Sequence, residues 1–258
     1  MKRSRDKLDA RTASVLAIAD AISGRRFAHD TLRELREDES LRGREAALAA
    51  EITLGAVRHA TTIEDILRRV ATYHPHRSPI RVRATLLAAG YQMIWMDRVP
   101  LHAAVDEAVE RTRLLAGGRA PGMVNAVLRR LSGAITARGV EWRRLEPALV
   151  RTGWELATRF NQPVLPDPDE AGEAAHLAAA VGETPARYKR LVQRFGRAHA
   201  ERVGWASQST PGTVVHRNPL RIDAEAFRIA IESRALHAAE VGSDTAFLAP
   251  AEPIVDWS

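Results

Sequence analysis

Cysteine is absent from the 258 residues, and this absence excludes disulfides, cysteine-ligated zinc sites and thiol-based catalysis within them. Lysine is nearly absent too, since it occurs only at Lys2, Lys7 and Lys189, and arginine carries almost all the positive charge. The sequence also lacks an uncharged apolar run of about 18 residues and a signal-peptide pattern at its start. We therefore expect a cytoplasmic protein without a membrane-spanning helix.

The charged side chains are predominantly cationic. The net charge is +6 and the sequence pI is about 10.4. Arginine binds phosphate through two parallel hydrogen bonds, so a polyanionic partner such as nucleic acid is one explanation. The other is a compositional bias toward alanine and arginine that places arginines on the surface without a function. Charge favours nucleic acid, although net charge bears on non-specific binding and not on fold.

Apolar side chains recur at helical spacing through the first half of the chain, most clearly over residues 84–131. Proline and glycine divide this stretch into three predicted helices. The first ends near Met96, the second begins at Pro100 and the third follows Gly117-Gly118. Successive amphipathic helices need a common core. The sequence therefore predicts a mainly α fold that begins with an all-helical bundle over residues 1–138.

The N-terminal tail is basic and leads directly into a predicted helix. The tail reads MKRSRDK, Asp9 is a candidate helix cap, and Arg11 extends the basic face into the first turn. A cationic segment that precedes a helix is typical of an arm that binds RNA phosphates. A frayed, solvated terminus has the same composition, and both interpretations stay open at this point.

The composition changes after the predicted bundle. Residues 139–159 have mixed helical character, and residues 161–185 contain four prolines and an acidic run that are typical of an extended linker. We therefore predict a helical and proline-rich acidic linker over residues 139–185.

A smaller α+β unit is predicted for residues 186–258. The β-branched stretch 213–217 predicts a strand, Asp223 is expected to cap a helix, and Ile254-Val255 predicts a last strand. Two strands are too few for a complete sheet. The predicted unit is therefore a partial α+β subdomain.

Two local patterns suggest a ligand, but we favour simpler interpretations. His74 and His76 could bind a metal, but no carboxylate or third histidine lies at ligand spacing, and the pair more simply decorates an exposed turn. Residues 117–122 are glycine-rich and could hold a phosphate at a helix N-terminus. They do not follow a strand as a nucleotide-binding loop does, so we interpret them as a turn between helices.

Short motifs in the predicted bundle occur in a distinctive order. They are Tyr91-Gln92, Arg98-Val99-Pro100, His102-Ala-Ala-Val105, Glu107-Ala-Val109 and Val124-Asn-Ala-Val-Leu-Arg129. In order and spacing they resemble the NusB-like RNA-binding domain, and the resemblance covers about Leu8 to Leu131. This all-helical module forms the antitermination factor NusB and also begins the bacterial 16S rRNA cytosine-C5 methyltransferases.

The resemblance implies that the partner is RNA, most specifically small-subunit rRNA. Cationic residues of the N-terminal helix carry RNA binding in NusB-like proteins. The RNA-binding residues predicted on this basis are Arg3, Arg5, Lys7 and Arg11, with Arg217 and Asn218 as further candidates in the second unit. A structural role, capping and bridging helices, is expected instead for Arg58, Asn125, Arg129 and Arg130.

Two features resemble the methyltransferase branch of the family. Asn125-Ala-Val-Leu-Arg129 is typical of that branch, whereas antiterminators usually read Asn-Gly-Val-Leu-Asp. Residues 187–222 resemble the segment that precedes the catalytic domain, and Arg217-Asn218-Pro219-Leu220 matches its recurrent strand end. Asp106 departs from the family pattern, which has asparagine there.

The catalytic machinery of those methyltransferases has no counterpart in these residues. The enzymes bind S-adenosylmethionine through a proline- and glycine-rich loop and attack the cytosine with a cysteine thiolate. We therefore expect an RNA-binding module without catalytic activity, cofactor or metal; S-adenosylmethionine enters only with a separate catalytic domain. One alternative is the N-terminal part of a split or truncated 16S rRNA methyltransferase, with a separate catalytic partner. The other is a NusB-type transcription antitermination factor that docks a ribosomal protein.

Overall fold

A computed structural model describes residues 8–38, 40–209, 213–233, 238–241 and 245–248. The chain divides into two compact units, Met1–Gln208 and Ser209–Ser258. This division lies well after the predicted linker, because residues 139–185 fold together with the helices that precede them.

The first unit begins with a bundle of seven α-helices among the described residues, with a 3-10 turn at Pro75–Arg77. They are α1 (Ala10–Ile22), α2 (Ala28–Glu37), α3 (Gly43–Arg58), α4 (Ala60–Ala71), α5 (Ile80–Trp95), α6 (Leu101–Leu115) and α7 (Ala120–Ala134). The three predicted helices of residues 84–131 are confirmed as α5, α6 and α7. Pro100 precedes the first residue of α6, and the Asp9 carboxylate accepts a hydrogen bond from the Thr12 N–H as the cap of α1.

Helix α5 lies at the centre of the bundle, with every residue from Ala84 to Ile94 buried. It packs against α1, α3, α6 and α7. The close approach of α4 to α5 depends on Gly90, because a Cβ atom there would lie 2.6 Å from Cγ2 of Ile63. The mostly apolar pattern of α5 is thus that of a helix surrounded by others.

A small antiparallel sheet follows the bundle, where the sequence predicted helical character. It comprises β1 (Ile135–Glu141), β2 (Leu149–Arg151) and β3 (Leu156–Phe160), in the order β1-β3-β2. The helical prediction for residues 139–159 is wrong because irregular pairing in β1 breaks the strand alternation. The pairing of β1 with β3 shifts register twice, and Gly139 adopts a positive φ of 68° in this segment.

The rest of the first unit is helical. Helices α8 (Pro168–Ala171), α9 (Glu173–Ala180), α10 (Pro185–Phe195) and α11 (Arg197–Gln208) follow the sheet. Leu177, Val181, Tyr188 and Ala200 form their small core. The Thr62 hydroxyl of α4 donates to the Ala179 carbonyl at 3.1 Å, which ties α9 to the bundle. The stretch predicted as an extended linker therefore contributes buried structure.

The second unit contains β4 (Thr213–His216), α12 (Ala224–Ser233), β5 (Ala238–Val241) and β6 (Thr245–Leu248). Its sheet is antiparallel in the order β4-β6-β5. The predicted strand near 213–217 is confirmed, and Asp223 caps α12 by accepting a hydrogen bond from the Ala226 N–H at 2.7 Å. The predicted strand at Ile254-Val255 lies outside the described residues. The helical bundle followed by a small α+β unit confirms the predicted fold class.

Candidate nucleic-acid interface

Arg11 lies in the first turn of α1, where that helix meets α5 and α6. Its Nε donates a hydrogen bond to Oε1 of Gln92 at 3.2 Å, and the Gln92 amide is fixed in turn by donating to the Ala88 carbonyl at 3.0 Å. The side chain lines a small crevice together with Glu107 and Arg111. Among the described residues, no carboxylate forms an ion pair with Arg11. Its guanidinium thus keeps its terminal N–H groups for an external acceptor.

Arg111, the other arginine of this crevice, is neutralised from within the protein. It forms an ion pair with Asp9 and a second with Glu107 at 3.7 Å, and its Nη1 donates to the Thr12 hydroxyl at 3.1 Å. Burial acts to raise the pKa of Asp9, but hydrogen bonds from Thr12 and the charge of Arg111 outweigh it, so the pKa lies below its usual value. Of these two arginines, Arg11 is the better candidate for a phosphate contact.

The other predicted RNA-binding residues occupy different settings. Arg3, Arg5 and Lys7 lie outside the described residues. Arg217 of the second unit donates through Nη1 to the Ile222 carbonyl at 2.9 Å, and the Asn218 side chain accepts from the Leu220 N–H at 3.0 Å. Both side chains therefore hold the turn after β4. Their role in RNA binding stays a prediction.

Arginines of α7 make contacts of the structural kind that was expected. Arg130 donates to the carbonyl of Ala71 at 3.2 Å and so caps the last turn of α4. Arg129 donates to the side chain of Asn125 one turn earlier, at 3.0 Å. Arg58 lies half-buried at the end of α3, next to the buried His59.

A second basic surface, on α10 and α11, was missed by the sequence prediction. These helices carry six exposed cations and one carboxylate, Glu201, which forms an ion pair with Arg144. The cations are Arg187, Lys189, Arg190, Arg194, Arg197 and Arg202. Arg187, Arg190 and Arg194 recur at i, i+3 and i+7, which places them on one face of α10. This spacing could have indicated the basic face from the sequence, but the prediction considered only the apolar face of the same helix.

The most perturbed histidine and tyrosine lie in the bundle core. The rings of His59 and Trp95 stack with centroids 4.1 Å apart, and burial, aided by the charge of Arg58, lowers the pKa of His59 to about 3. Burial raises the pKa of Tyr91, and its hydroxyl donates to Glu51 at 2.5 Å, which raises it further. These contacts favour the neutral forms of both rings and are those of a packed aromatic core.

The described ranges contain no group of three histidine, cysteine, aspartate or glutamate side chains placed to bind a metal ion. His74 and His76 are exposed on either side of Pro75. Within the same ranges, none of the helices combines the length and apolar character needed to cross a bilayer.

Comparison with known proteins identifies the bundle. The sequence model of the NusB family matches residues 8–133, close to the range of the resemblance seen in the sequence. Residues 8–133 form a NusB-family domain. Arg11, Gln92 and Arg111 all lie within this NusB-family domain, whereas α10 and α11 follow it.

Two curated relatives show how the domain occurs elsewhere. The chain is 38% identical over 91 residues to the ribosomal RNA small subunit methyltransferase B of Vibrio vulnificus, which covers 35% of this chain and 21% of that protein. It is 34% identical over 96 residues to the transcription antitermination protein NusB of Heliobacterium modesticaldum, which covers 36% of this chain and 47% of that protein. The chain therefore matches less than half the length of each of these relatives.

One solved structure resembles nearly the whole chain. The crystal structure of PH0851 aligns with 95% of this chain and 50% of its own length, with a TM-score of 0.54 and 10% sequence identity. At this identity the likeness concerns the fold alone. It extends beyond the NusB-family domain into the sheet and the helices that follow.

Proposed function

We propose that this protein binds RNA, and specifically small-subunit ribosomal RNA. The observation that carries the proposal is Arg11, a cation of the NusB-family domain without an ion-pair partner among the residues described. Arginine binds phosphate oxygens through its parallel N–H groups. We infer that Arg3, Arg5 and Lys7 extend this surface along the N-terminal segment.

The basic face of α10 supports the same proposal from a different part of the chain. Lys189 and Arg190 are exposed and form no ion pair within the described ranges, and Arg194 lies one turn beyond Arg190. Contacts to phosphate position nucleic acid without reading its sequence. The restriction to ribosomal RNA rests on the relative named ribosomal RNA small subunit methyltransferase B.

The chain is proposed to supply binding and not chemistry. The 258 residues contain no cysteine, so a thiolate that attacks cytosine must come from residues outside this sequence or from another chain. A split or truncated methyltransferase with a separate catalytic partner is therefore the second candidate. Arg129 favours the methyltransferase branch over an antitermination factor, because antiterminators usually have aspartate at that position.

Salt titration of the full chain with a fragment of small-subunit rRNA tests the proposal. Because each phosphate contact releases condensed counterions, log K should fall linearly with log salt concentration, with a slope of about −0.7 per contact for single strands. Replacing Arg3, Arg5 and Arg11 together with alanine should reduce the magnitude of the slope by up to about 2. The matched control is Arg33→Ala, an exposed arginine already paired with Asp30 at 3.1 Å. Weak binding that does not depend on salt would contradict the proposal.

A further inference from the structure

A cleft of about 420 Å³ opens beside the first sheet, between the end of β1 and the turn that joins β2 to β3. It is lined by Glu141, Trp142, Arg151, Trp154 and Glu155. Its volume lies in the range of about 300–1,000 Å³ that is typical of small-molecule sites. Trp154 is 84% exposed, so most of its indole ring is open to solvent.

Arg151 forms the inner wall of the cleft among aromatic rings. Its guanidinium carbon lies 4.5 Å from the ring centroid of Trp142, 4.7 Å from that of Trp205 and 5.6 Å from that of Trp154. Its Nε donates to the Gly153 carbonyl and its Nη2 to the Trp154 carbonyl, at 3.0 and 2.8 Å. These bonds fix the side chain in place.

Arg151 forms no ion pair with any residue that the structure describes, although the charge of Glu201 acts on it without direct contact. Burial lowers the pKa of Arg151, as expected when a cation is partly removed from water. Its hydrogen bonds through Nε and Nη2 leave Nη1 without an acceptor in the described part of the chain. The inner wall therefore offers a fixed positive charge and aromatic faces.

The rim of the cleft is acidic. Glu141 and Glu155 both line it. The side chain of Glu141 is 77% exposed, and its Oε2 forms an ion pair with Nη2 of Arg143 at 3.7 Å, which offsets part of its charge. Two carboxylates repel a phosphate group, while Arg151 repels a cationic side chain. A neutral ring that carries N–H donors at its edge avoids both repulsions.

We propose that the cleft receives one unpaired RNA base, stacked on Trp154, with an amino group at its edge hydrogen-bonded to the Glu141 or Glu155 carboxylate. Aromatic side chains bind bases of single strands by stacking, and glutamate accepts hydrogen bonds from amino groups such as N4 of cytosine. Uracil has a carbonyl oxygen in place of the cytosine amino group, and its one edge donor, N3–H, lies between two carbonyl oxygens that a carboxylate repels, so we expect it to bind more weakly than cytosine. This inference rests on the proposed RNA-binding function.

Cations near the cleft are suited to hold the adjoining phosphates. Arg202 precedes Trp205 by three residues on α11, so the two side chains are neighbours on the helix surface. Trp205 contacts Trp142 edge to face at 5.5 Å, which links that surface to the cleft. In this arrangement the base would stack in the cleft and the phosphate backbone of the RNA would run along α11. Proteins that bind single strands commonly combine stacking and positive charge in this way.

The test compares binding of cytidine and uridine decamers by the full chain. The Trp154→Ala variant should bind the cytidine decamer about 5- to 150-fold more weakly, the range measured for loss of one stacked base, while the salt slope stays unchanged. Trp154→Phe should recover a large part of the loss because it restores an aromatic face. The matched control is Phe27→Ala, an exposed aromatic residue of the helical bundle, which should have no effect.

The acidic rim is tested by the Glu141→Gln, Glu155→Gln double variant. It should lose most of the preference for cytidine over uridine, because an amide presents donors as well as acceptors. Wild-type affinity in Trp154→Ala, or binding of an arginine-rich peptide that depends on Trp154, would overturn the cleft proposal while leaving RNA binding intact. A wild-type chain that binds neither decamer and no rRNA fragment would overturn both proposals.

Discussion

Replacing Gly90 with alanine should destabilise the NusB-family domain, although alanine is the better helix former. Gly90 lies in the interior of α5, where the change from glycine to alanine normally stabilises a helix by about 1 kcal/mol. Here the new Cβ atom would lie 2.6 Å from Cγ2 of Ile63, whereas ordinary contacts begin at 3.4 Å. The two atoms must therefore move apart by about 0.8 Å.

That movement is costly because neither partner has room. Ile63 is fully buried, and its β-branched side chain has one strongly preferred rotamer in a helix. Overpacking of a core by one methyl group typically costs about 1–3 kcal/mol. After the gain in helix propensity of about 1 kcal/mol, we expect Gly90→Ala to lower the free energy of unfolding by up to about 2 kcal/mol.

Urea unfolding followed by far-UV circular dichroism measures this loss. Repeating the measurement of Gly90→Ala in a variant that lacks the Ile63 side chain identifies its cause. Ile63→Ala removes Cγ2, so in that background Gly90→Ala should become stabilising by up to about 1 kcal/mol. Gly133→Ala is the matched control, since a Cβ atom there meets no atom within 4 Å. An equal loss for Gly90→Ala in both backgrounds would refute the explanation by contact with Ile63.

Two further predictions concern charged and titratable groups of the same domain. Asp9→Ala removes the cap of α1 and the partner of Arg111, and should lower the free energy of unfolding by about 1–2 kcal/mol in urea titrations at neutral pH. Because the pKa of Asp9 is depressed by folding, this difference should shrink as the pH falls below its ordinary value of 3.8. The pKa of His59 falls from 6.5 to about 3 on folding, so its neutral form stabilises the fold above pH 6.5 and this contribution is lost progressively as the pH falls toward 3. His59→Gln should flatten the pH dependence of unfolding in that window, and an unchanged profile would show that His59 is accessible to protons in the folded state.

The three central helices were predictable because local residues determine their ends. Pro100 has no N–H to donate and therefore suits a helix start. Gly117 and Gly118 both adopt a positive φ, which ends a helix without the steric cost that a Cβ atom would add. The sheet over residues 135–160 was not predictable in this way. The Thr158 hydroxyl donates to the Ile94 carbonyl, and this contact between residues 64 positions apart is invisible in the local pattern.

The candidate sites also differ in whether local sequence or contacts between distant residues determine them. Arg11 was predictable from its position in the N-terminal helix of the motif. The ion pair of Arg111 with Asp9 spans 102 residues, so the sequence could not show which of the two arginines is neutralised. Arg151 likewise contacts Trp142 and Trp205, which are distant from each other in the sequence, and no residue beside any of the three signals these contacts.

The contacts of individual arginines bear on the two explanations of the basic composition. Compositional bias predicts arginines that are solvated or paired, such as Arg26 with Glu34 at 2.6 Å and Arg144 with two glutamates. Arg138 is partly buried and bonded to the carbonyls of Met96 and Val99, which is a structural role. Arg151 is also bonded to carbonyls and not paired with a carboxylate among the described residues, but it differs from Arg138 in lying against three tryptophan rings. Desolvating a charge without an ion-pair partner costs stability, and here the tryptophan rings at 4.5, 4.7 and 5.6 Å offset part of that cost by cation–π attraction. An arginine held against tryptophan rings in a cleft of this size is therefore a more specific indicator of a binding site than the net charge of +6.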